Sequence, residues 1–239
     1  MKRLIVAFAA CLAFAVAGHA HASNDPQADA RIAALGPAWA HLNYEIQDKH
    51  QEAAEAAKLA AQADAVAKRY PGRAEPLVWQ ALIVLSEADA RHDIASLSLA
   101  KTARHLLERA AKVDPKVLAD GTVYANLGSL YAQLPGFPLS FGDQGKARVY
   151  LEKAVAANPD GLDANYFYAD YLFRQEDYAK TVQVLERALA APARPGLEVA
   201  DRGRKAEAAE LLSKAHRKLG GEGSAHATRP SPPSRRHRH

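Results

Sequence analysis

Cysteine is nearly absent from this sequence, and methionine and tryptophan are scarce. Among 239 residues there are one Cys, one Met and two Trp. A single cysteine excludes a disulfide-stapled fold. The composition, 49% hydrophobic and 24% charged, is ordinary for a folded domain and excludes disordered and collagen-like chains.

A surplus of positive charge is missing from the body of the chain. The formal net charge is +4, but Lys2 and Arg3 stand at the start, and the C-terminal end carries several arginines against Glu222. Without these terminal charges the body has a net charge of about −1, and it lacks the positive surface that a phosphate backbone attracts. We therefore expect no nucleic-acid partner.

The signatures of common catalytic sites are absent as well. The sequence contains no H-E-x-x-H, C-x-x-C, G-x-S-x-G or P-loop motif. The nearest cluster is Asp89, His92 and Asp93, which we interpret as solvated loop residues rather than a metal or hydrolase site, because zinc would need a further ligand. His237 and His239 are interpreted as part of a solubilising tail. We predict no enzyme activity, no metal and no cofactor.

The first 22 residues have the organisation of an export signal. A basic pair precedes an apolar run that ends at Ala20-His21-Ala22, a small-x-small cleavage site. The run of about 15 residues is shorter than the roughly 20 that a spanning helix needs. We expect cleavage after Ala22, a periplasmic location and no transmembrane segment in the mature chain. Lipoprotein anchoring through Cys11 is the less favoured alternative, because the apolar run continues beyond it.

Alanine supplies much of the hydrophobic content. It makes up roughly a fifth of the residues, and it is the strongest helix former while contributing little to a sheet core. The composition therefore predicts an all-α fold.

A short motif recurs in the middle of the chain. Leu-Glu-(Arg/Lys)-Ala occurs at 107–110, 151–154 and 185–188. Pro115 and Pro159 follow the first two copies at the same distance, and proline stops a helix at the same phase each time. The last two copies are 34 residues apart and the first two are 44 apart. This spacing predicts a series of helix pairs.

The pattern resembles the tetratricopeptide repeat. Segment 162–193 is similar to an almost unbroken repeat, with Tyr168-Ala169 in its first helix and Leu185 and Ala188 in its second. The resemblance implies a helical solenoid of about four helix pairs within residues 23–219. A C-terminal capping helix is expected at 197–219, with these residues on its buried side: Val199, Ala206, Ala209, Leu211, Leu212 and Ala215. Residues 220–239, rich in Gly, Pro, Arg and His, are predicted to be disordered.

Two of the repeat units are about ten residues longer than the standard 34. The extra residues fall around 87–97 in one unit and mainly within 133–143 in the next. The second insertion carries Phe137, Leu139 and Phe141, which either fold back onto the solenoid or meet a partner. We favour folding back, with Asp143 capping the following helix.

The insertions also resemble those of a subgroup. Segments 135–138, 158–161 and 194–196, with the sequences Pro-Gly-Phe-Pro, Asn-Pro-Asp-Gly and Arg-Pro-Gly, are similar to those of exported bacterial tetratricopeptide proteins related to the TatT-like component of TRAP-type solute transporters. The resemblance spans about residues 74–219. It implies an accessory role in solute uptake.

The first helices of successive pairs should line a concave groove, which is the best candidate binding surface. The repeat phase places these residues near it: Trp79, Asn126, Ser129, Gln133, Tyr166, Phe167, Asp170, Phe173 and Arg174. Aromatic residues beside Asn, Asp and Arg suit an extended peptide or a small polar ligand. The alternative is that the aromatic residues only pack against neighbouring helices.

One known binding mode is not expected. Val78 and Leu82 occupy the face where some tetratricopeptide proteins carry basic residues that clamp a terminal carboxylate. We therefore predict an exported, non-enzymatic scaffold that binds some other protein or peptide. The alternative is an accessory component of solute uptake that binds a small polar solute.

Overall fold

The computed structural model of the chain describes residues 25–91 and 93–227. These residues form helices and short connections, with no β-strand among them, as the alanine content predicts. The helices are α1 (Pro26–Ala33), α2 (Leu35–Glu45), α3 (Lys49–Arg69), α4 (Glu75–Arg91), α5 (Ala95–Val113), α6 (Thr122–Gln133), α7 (Gln144–Ala157), α8 (Leu162–Arg174), α9 (Tyr178–Ala190) and α10 (Glu198–Ala227). The predicted signal peptide, including Cys11, lies outside the described residues.

Aspartate caps and prolines set several helix limits. Asp48, Asp143 and Asp177 each accept a hydrogen bond from a backbone N–H in the first turn of α3, α7 and α9. The cap by Asp143 is the one predicted from the sequence. Helices α5 and α7 end two residues before Pro115 and Pro159, because the residue that precedes a proline is driven out of the helical conformation.

Small residues lie where paired helices meet. Ala147 and Ala154 of α7 are fully buried. A Cβ placed on Gly128 of α6 would lie 2.5 Å from Leu151 Cγ, so α6 and α7 approach more closely than any other residue at this position would allow. Larger side chains fill the space around these small residues, and four of them are buried: Leu127, Tyr131, Leu151 and Leu185.

The C-terminal helix returns to the beginning of the helix array. Helix α10 packs against α8 and α9, as a capping helix should, and it also packs against α2. A Cβ placed on Gly203 would lie 2.1 Å from Cδ1 of Tyr44, and one placed on Gly36 would lie 3.1 Å from Leu197 Cδ2. The last helix therefore joins the first hairpin, a contact that the repeat pattern did not predict.

The buried side of α10 differs from the prediction. Leu211 and Ala215 are buried as expected, but Ala206 and Ala209 are exposed and Ala208 is buried in their place. The buried side of α10 also carries Asp201 and Arg204, which pair with Arg194 and with Asp163 of α8. Apolar spacing alone does not identify such charged residues as buried.

The end of α10 and the first insertion also depart from expectation. Helix α10 continues to Ala227, so residues 220–227, predicted to be disordered, are helical. They follow directly on a long helix, and no proline interrupts them. Residues 228–239 lie outside the described part.

The extra residues around 87–97 do not form a long loop. They extend two helices instead, because α4 continues to Arg91 and α5 begins at Ala95.

Candidate functional site

A cavity of about 560 Å³ lies between the helices. Its walls come from α2, α4, α6 and α8, the starts of α3 and α5, and two side chains of α10. Because α10 packs against α2, the predicted groove is bounded by the C-terminal helix. Four aromatic side chains line the cavity: Trp39, Tyr44, Tyr166 and Phe167.

Amide and hydroxyl groups occupy one part of the wall. Trp39 Nε1 donates to Ser86 Oγ at 3.1 Å, and Ser86 Oγ donates to Asn43 Oδ1 at 2.9 Å. Gln133 Nε2 donates to Ser129 Oγ at 2.7 Å. The connected bonds around Trp39 fix the indole ring against the wall, and the outward-facing groups can bind a polar ligand.

The charged side chains of the wall are arranged in pairs. Lys49 Nζ lies 2.7 Å from Glu52 Oε2 and 3.6 Å from Asp89 Oδ2. On α8, Arg174 Nε lies 2.8 Å from Asp170 Oδ2. The Glu52 side chain is 3% exposed, and its contact with Lys49 compensates for its burial.

Arg204 of α10 is the most heavily engaged group of the wall. Its guanidinium carbon lies 4.6 Å from the ring centroid of Tyr166 and 4.8 Å from that of Phe167, within the range of a cation–π interaction. Its Nε donates to Asp163 Oδ1 at 2.9 Å, and Arg194 Nη1 donates to Asp163 Oδ2 at 2.7 Å. Arg204 also pairs with Glu207. These contacts tie α10 to α8 through the cavity wall.

Burial and pairing fix the charge states of these groups near neutral pH. Burial raises the pKa of Tyr166 to about 12, and it also raises the pKa of Tyr44. Burial alone would raise the pKa of Asp163, but Arg204 and Arg194 hold that pKa below its usual range. The two tyrosines are therefore neutral, and Asp163 is charged, across the physiological pH range.

The residues that line this cavity lie within a span of sequence that matches a known protein family. The family model described as TRAP transporter T-component matches residues 30–218, a span that begins within α1 and reaches far into α10. The chain belongs to this family. No curated protein matches the sequence.

Most of the groove residues predicted from the sequence lie together in the structure. Seven of the nine line the larger cavity: Asn126, Ser129, Gln133, Tyr166, Phe167, Asp170 and Arg174. Trp79 and Phe173 lie elsewhere. Trp79 packs against Trp39 with ring centroids 6.0 Å apart and lines a smaller cavity of about 230 Å³. Phe173 lies on the side of α8 that faces α9 and packs against Tyr178 at 5.3 Å.

The three apolar side chains of the insertion loop 133–143 do not all behave alike. Phe141 folds back as expected, 4.2 Å beneath the Arg104 guanidinium and edge-on to Tyr131. Phe137 and Leu139 do not fold back, being 94% and 71% exposed, because the loop turns outward between backbone hydrogen bonds at its base. The expectation of folding back therefore holds for one of the three apolar side chains.

Part of the larger cavity was not predicted from the sequence. Five residues that line the cavity were not among the groove residues predicted from the sequence: Trp39, Tyr44, Lys49, Glu52 and Arg204. Contact between α2 and α10 brings Tyr44 and Arg204 to the same wall, and a local repeat pattern does not encode contacts between the ends of the array.

The described residues form neither a metal-binding cluster nor a membrane-spanning helix. No group of three His, Cys, Asp or Glu side chains among them is placed to hold a metal ion. Asp93 caps the start of α5 through hydrogen bonds from Ala95 N and Ser96 N, Asp89 pairs with Lys49, and His92 lies outside the described residues. No described helix is both long and apolar enough to cross a membrane.

Proposed function

We propose that this protein is an exported, non-enzymatic accessory protein of a TRAP-type solute uptake system that binds a small solute in the larger cavity. The family name supports the link to a TRAP transporter. The main support for solute binding is the cavity, which has a volume of about 560 Å³, aromatic walls and convergent polar groups. Ligand sites of this size typically combine these features. The helix pairs α4–α5, α6–α7 and α8–α9 are proposed to be tetratricopeptide-like units, and the mature chain is proposed to be periplasmic.

Binding of a protein or peptide is the second candidate function, and a different observation favours it. Phe137 and Leu139 stand exposed on one loop, as apolar anchors of a protein interface do. The cavity is less suited to an extended peptide, because α10 bounds it where a groove would be open.

A pull-down from periplasmic extract with the wild type and with Phe137→Ser/Leu139→Ser tests binding of a protein or peptide. Loss of a specific partner only in the variant supports it.

A cavity-filling variant tests solute binding. Ser129 lies on the cavity wall and is half-buried, so Ser129→Trp should occupy ligand space. Val149→Trp is the matched control, because Val149 is 50% exposed and lies on α7, away from the cavity. In a thermal-shift screen of small polar solutes, a ligand should stabilise the wild type and the control but not Ser129→Trp. Absence of any stabilising solute, or an equal shift in all three proteins, overturns the proposal.

A further inference from the structure

The charged side chains on the described wall of the larger cavity are all paired with one another. Each of the three cations, Lys49, Arg174 and Arg204, lies within 3.6 Å of a carboxylate of the same wall, and each of the four carboxylates contacts one of these cations. The Arg204 guanidinium also lies over the rings of Tyr166 and Phe167, so these rings give a ligand cation no advantage. A ligand ion of either sign therefore meets no unmatched countercharge, although it gives up hydration on entering.

Uncharged hydrogen-bonding groups line the cavity along one side of α6. Asn126, Ser129 and Gln133 all border it. They follow one another at intervals of three and four residues, the spacing that brings side chains to the same face of a helix. This face is where a ligand can find hydrogen-bonding groups that the protein does not already use.

Asn126 is the most deeply placed of the three. It is 7% exposed and lines both the larger and the smaller cavity. Its Nδ2 donates to Thr122 O within α6 at 2.9 Å, whereas Oδ1 accepts no hydrogen bond from any described residue. A nearly buried amide oxygen without a donor is unfavourable. A ligand that donates to Oδ1 therefore supplies a bond that the protein does not make for itself.

Ser129 and Gln133 continue the same set of groups. Gln133 Nε2 donates to Ser129 Oγ at 2.7 Å, so the Ser129 hydroxyl can still donate and Gln133 Oε1 can still accept. The face of α6 thus offers an acceptor at each end and a donor between them. Hydroxyl and amide groups match this arrangement because they both donate and accept, whereas an ammonium group only donates and a carboxylate only accepts.

We infer that the larger cavity selects an uncharged solute with several hydroxyl or amide groups over charged solutes of the same shape, and that Asn126, Ser129 and Gln133 recognise it. This inference rests on the proposed function, because it names the class of solute that the cavity takes. Asn126 contributes most to the preference, since its oxygen is the least exposed of the three groups and has no partner within the protein.

Two sets of probes with matched shape test the charge preference. Glucose, glucosamine and glucuronate form one set, and benzamide, benzylamine and benzoate form the other; each set has an uncharged, a cationic and an anionic member near neutral pH. In titration calorimetry, the uncharged member of each set that binds should have a Kd at least tenfold lower than the charged members. Tighter binding of a charged member, or no binding of any probe at millimolar concentration, overturns the inference. The solute screen with Ser129→Trp decides the proposed function separately.

Asn126→Leu should abolish the preference. The substitution removes the amide and keeps a side chain of similar size, so the uncharged probe should bind at least tenfold more weakly while the charged probes change little. Gln133→Met is a second test at an exposed position, with an expected loss of at least threefold. Gln62→Met is its matched control, because Gln62 is an exposed residue of α3 outside the cavity wall.

Circular dichroism verifies that these variants are folded. If folded Asn126→Leu keeps the wild-type preference, the role of the α6 face is overturned. If Asn126→Leu does not fold, Gln133→Met decides, and equal binding by Gln133→Met and Gln62→Met overturns that role.

Discussion

Gly128 is the residue that sets the distance between α6 and α7. An added Cβ would lie 2.5 Å from Leu151 Cγ and 3.1 Å from the Leu151 backbone nitrogen. Leu151 is fully buried and has no room to move aside. We expect Gly128→Ala to lower the free energy of unfolding by about 1 to 3 kcal/mol through overpacking, although alanine is intrinsically the better helix former. Urea denaturation measures this change.

Gly72 provides the control for Gly128. No atom lies within 4 Å of where its Cβ would stand, so Gly72→Ala should change the free energy of unfolding by no more than about 0.5 kcal/mol. Equal losses in the two variants would show that glycine content, and not the contact with Leu151, limits stability.

The burial of small and apolar residues could be predicted from the sequence, whereas the burial of a charged residue could not. Gly128 and Leu151 stand at the contact positions of a recurring pattern, so their burial was predictable from spacing. Arg204 stands on the buried side of α10 with a side chain only 13% exposed, and a charged residue is expected on the outside. Its burial follows from Asp163, Glu207 and two aromatic rings, which only the folded structure brings together.

Among the helices, α10 depends on its contact with α2. Gly203 allows the Tyr44 ring to lie against the α10 backbone. Gly203→Ala should therefore destabilise the protein by about 1 to 3 kcal/mol, whereas the same change in a free helix stabilises by up to about 1 kcal/mol. Tyr44→Ala removes the obstructing ring, so the double variant should be no less stable than Tyr44→Ala alone. Additive losses in urea denaturation would contradict a contact between these two residues.

The ion pairs of Asp163 link α8 to α10 and make this contact dependent on pH. The pKa of Asp163 is held below its usual range, so its pairs stabilise the protein above the unfolded-state pKa of about 4 and are lost as the pH falls through the lower folded-state value. Asp163→Asn should lower the free energy of unfolding by about 2 to 4 kcal/mol at pH 7. The difference from the wild type should narrow below about pH 4.

Urea denaturation at pH 7 and at pH 3 measures both quantities, and Asp160→Asn is the control, since Asp160 is exposed. A difference that stays constant between the two pH values would show that shape, and not charge, makes Asp163 important.

Among the helices, the sequence predicted which helices form pairs more reliably than it predicted the connections between them. Prolines, aspartate caps and the repeat interval predicted α6 to α9 well. The interval alone did not reveal whether the ten extra residues of a unit form a loop, as at 134–143, or lengthen two helices, as in α4 and α5. Proline and glycine distinguish the two cases, because the first insertion has neither and the second has both.

For the molecule as a whole, the open solenoid predicted from the repeats becomes an array whose ends meet. Contacts between neighbouring units recur and leave a periodic pattern in the sequence. The contact between Tyr44 and Gly203 occurs once and joins residues separated by most of the chain, so it leaves no pattern. Seven of the nine groove residues could therefore be predicted, while the wall supplied by α10 could not.

Two truncations test how much of the C-terminal region the fold requires. Ala208, Leu211 and Ala215 of α10 are buried, and the first two belong to the apolar core shared with α8 and α9. A chain that stops after Ala206 loses all three and exposes that core, so we expect a loss of at least about 3 kcal/mol, comparable to truncating a buried leucine. A chain that stops after Gly220 keeps them and should melt within a few degrees of the full-length protein, as monitored by circular dichroism. If the longer truncated chain also melts far below the full-length protein, residues beyond 220 dock on the fold and the array is closed by more than the contacts of α10 described above.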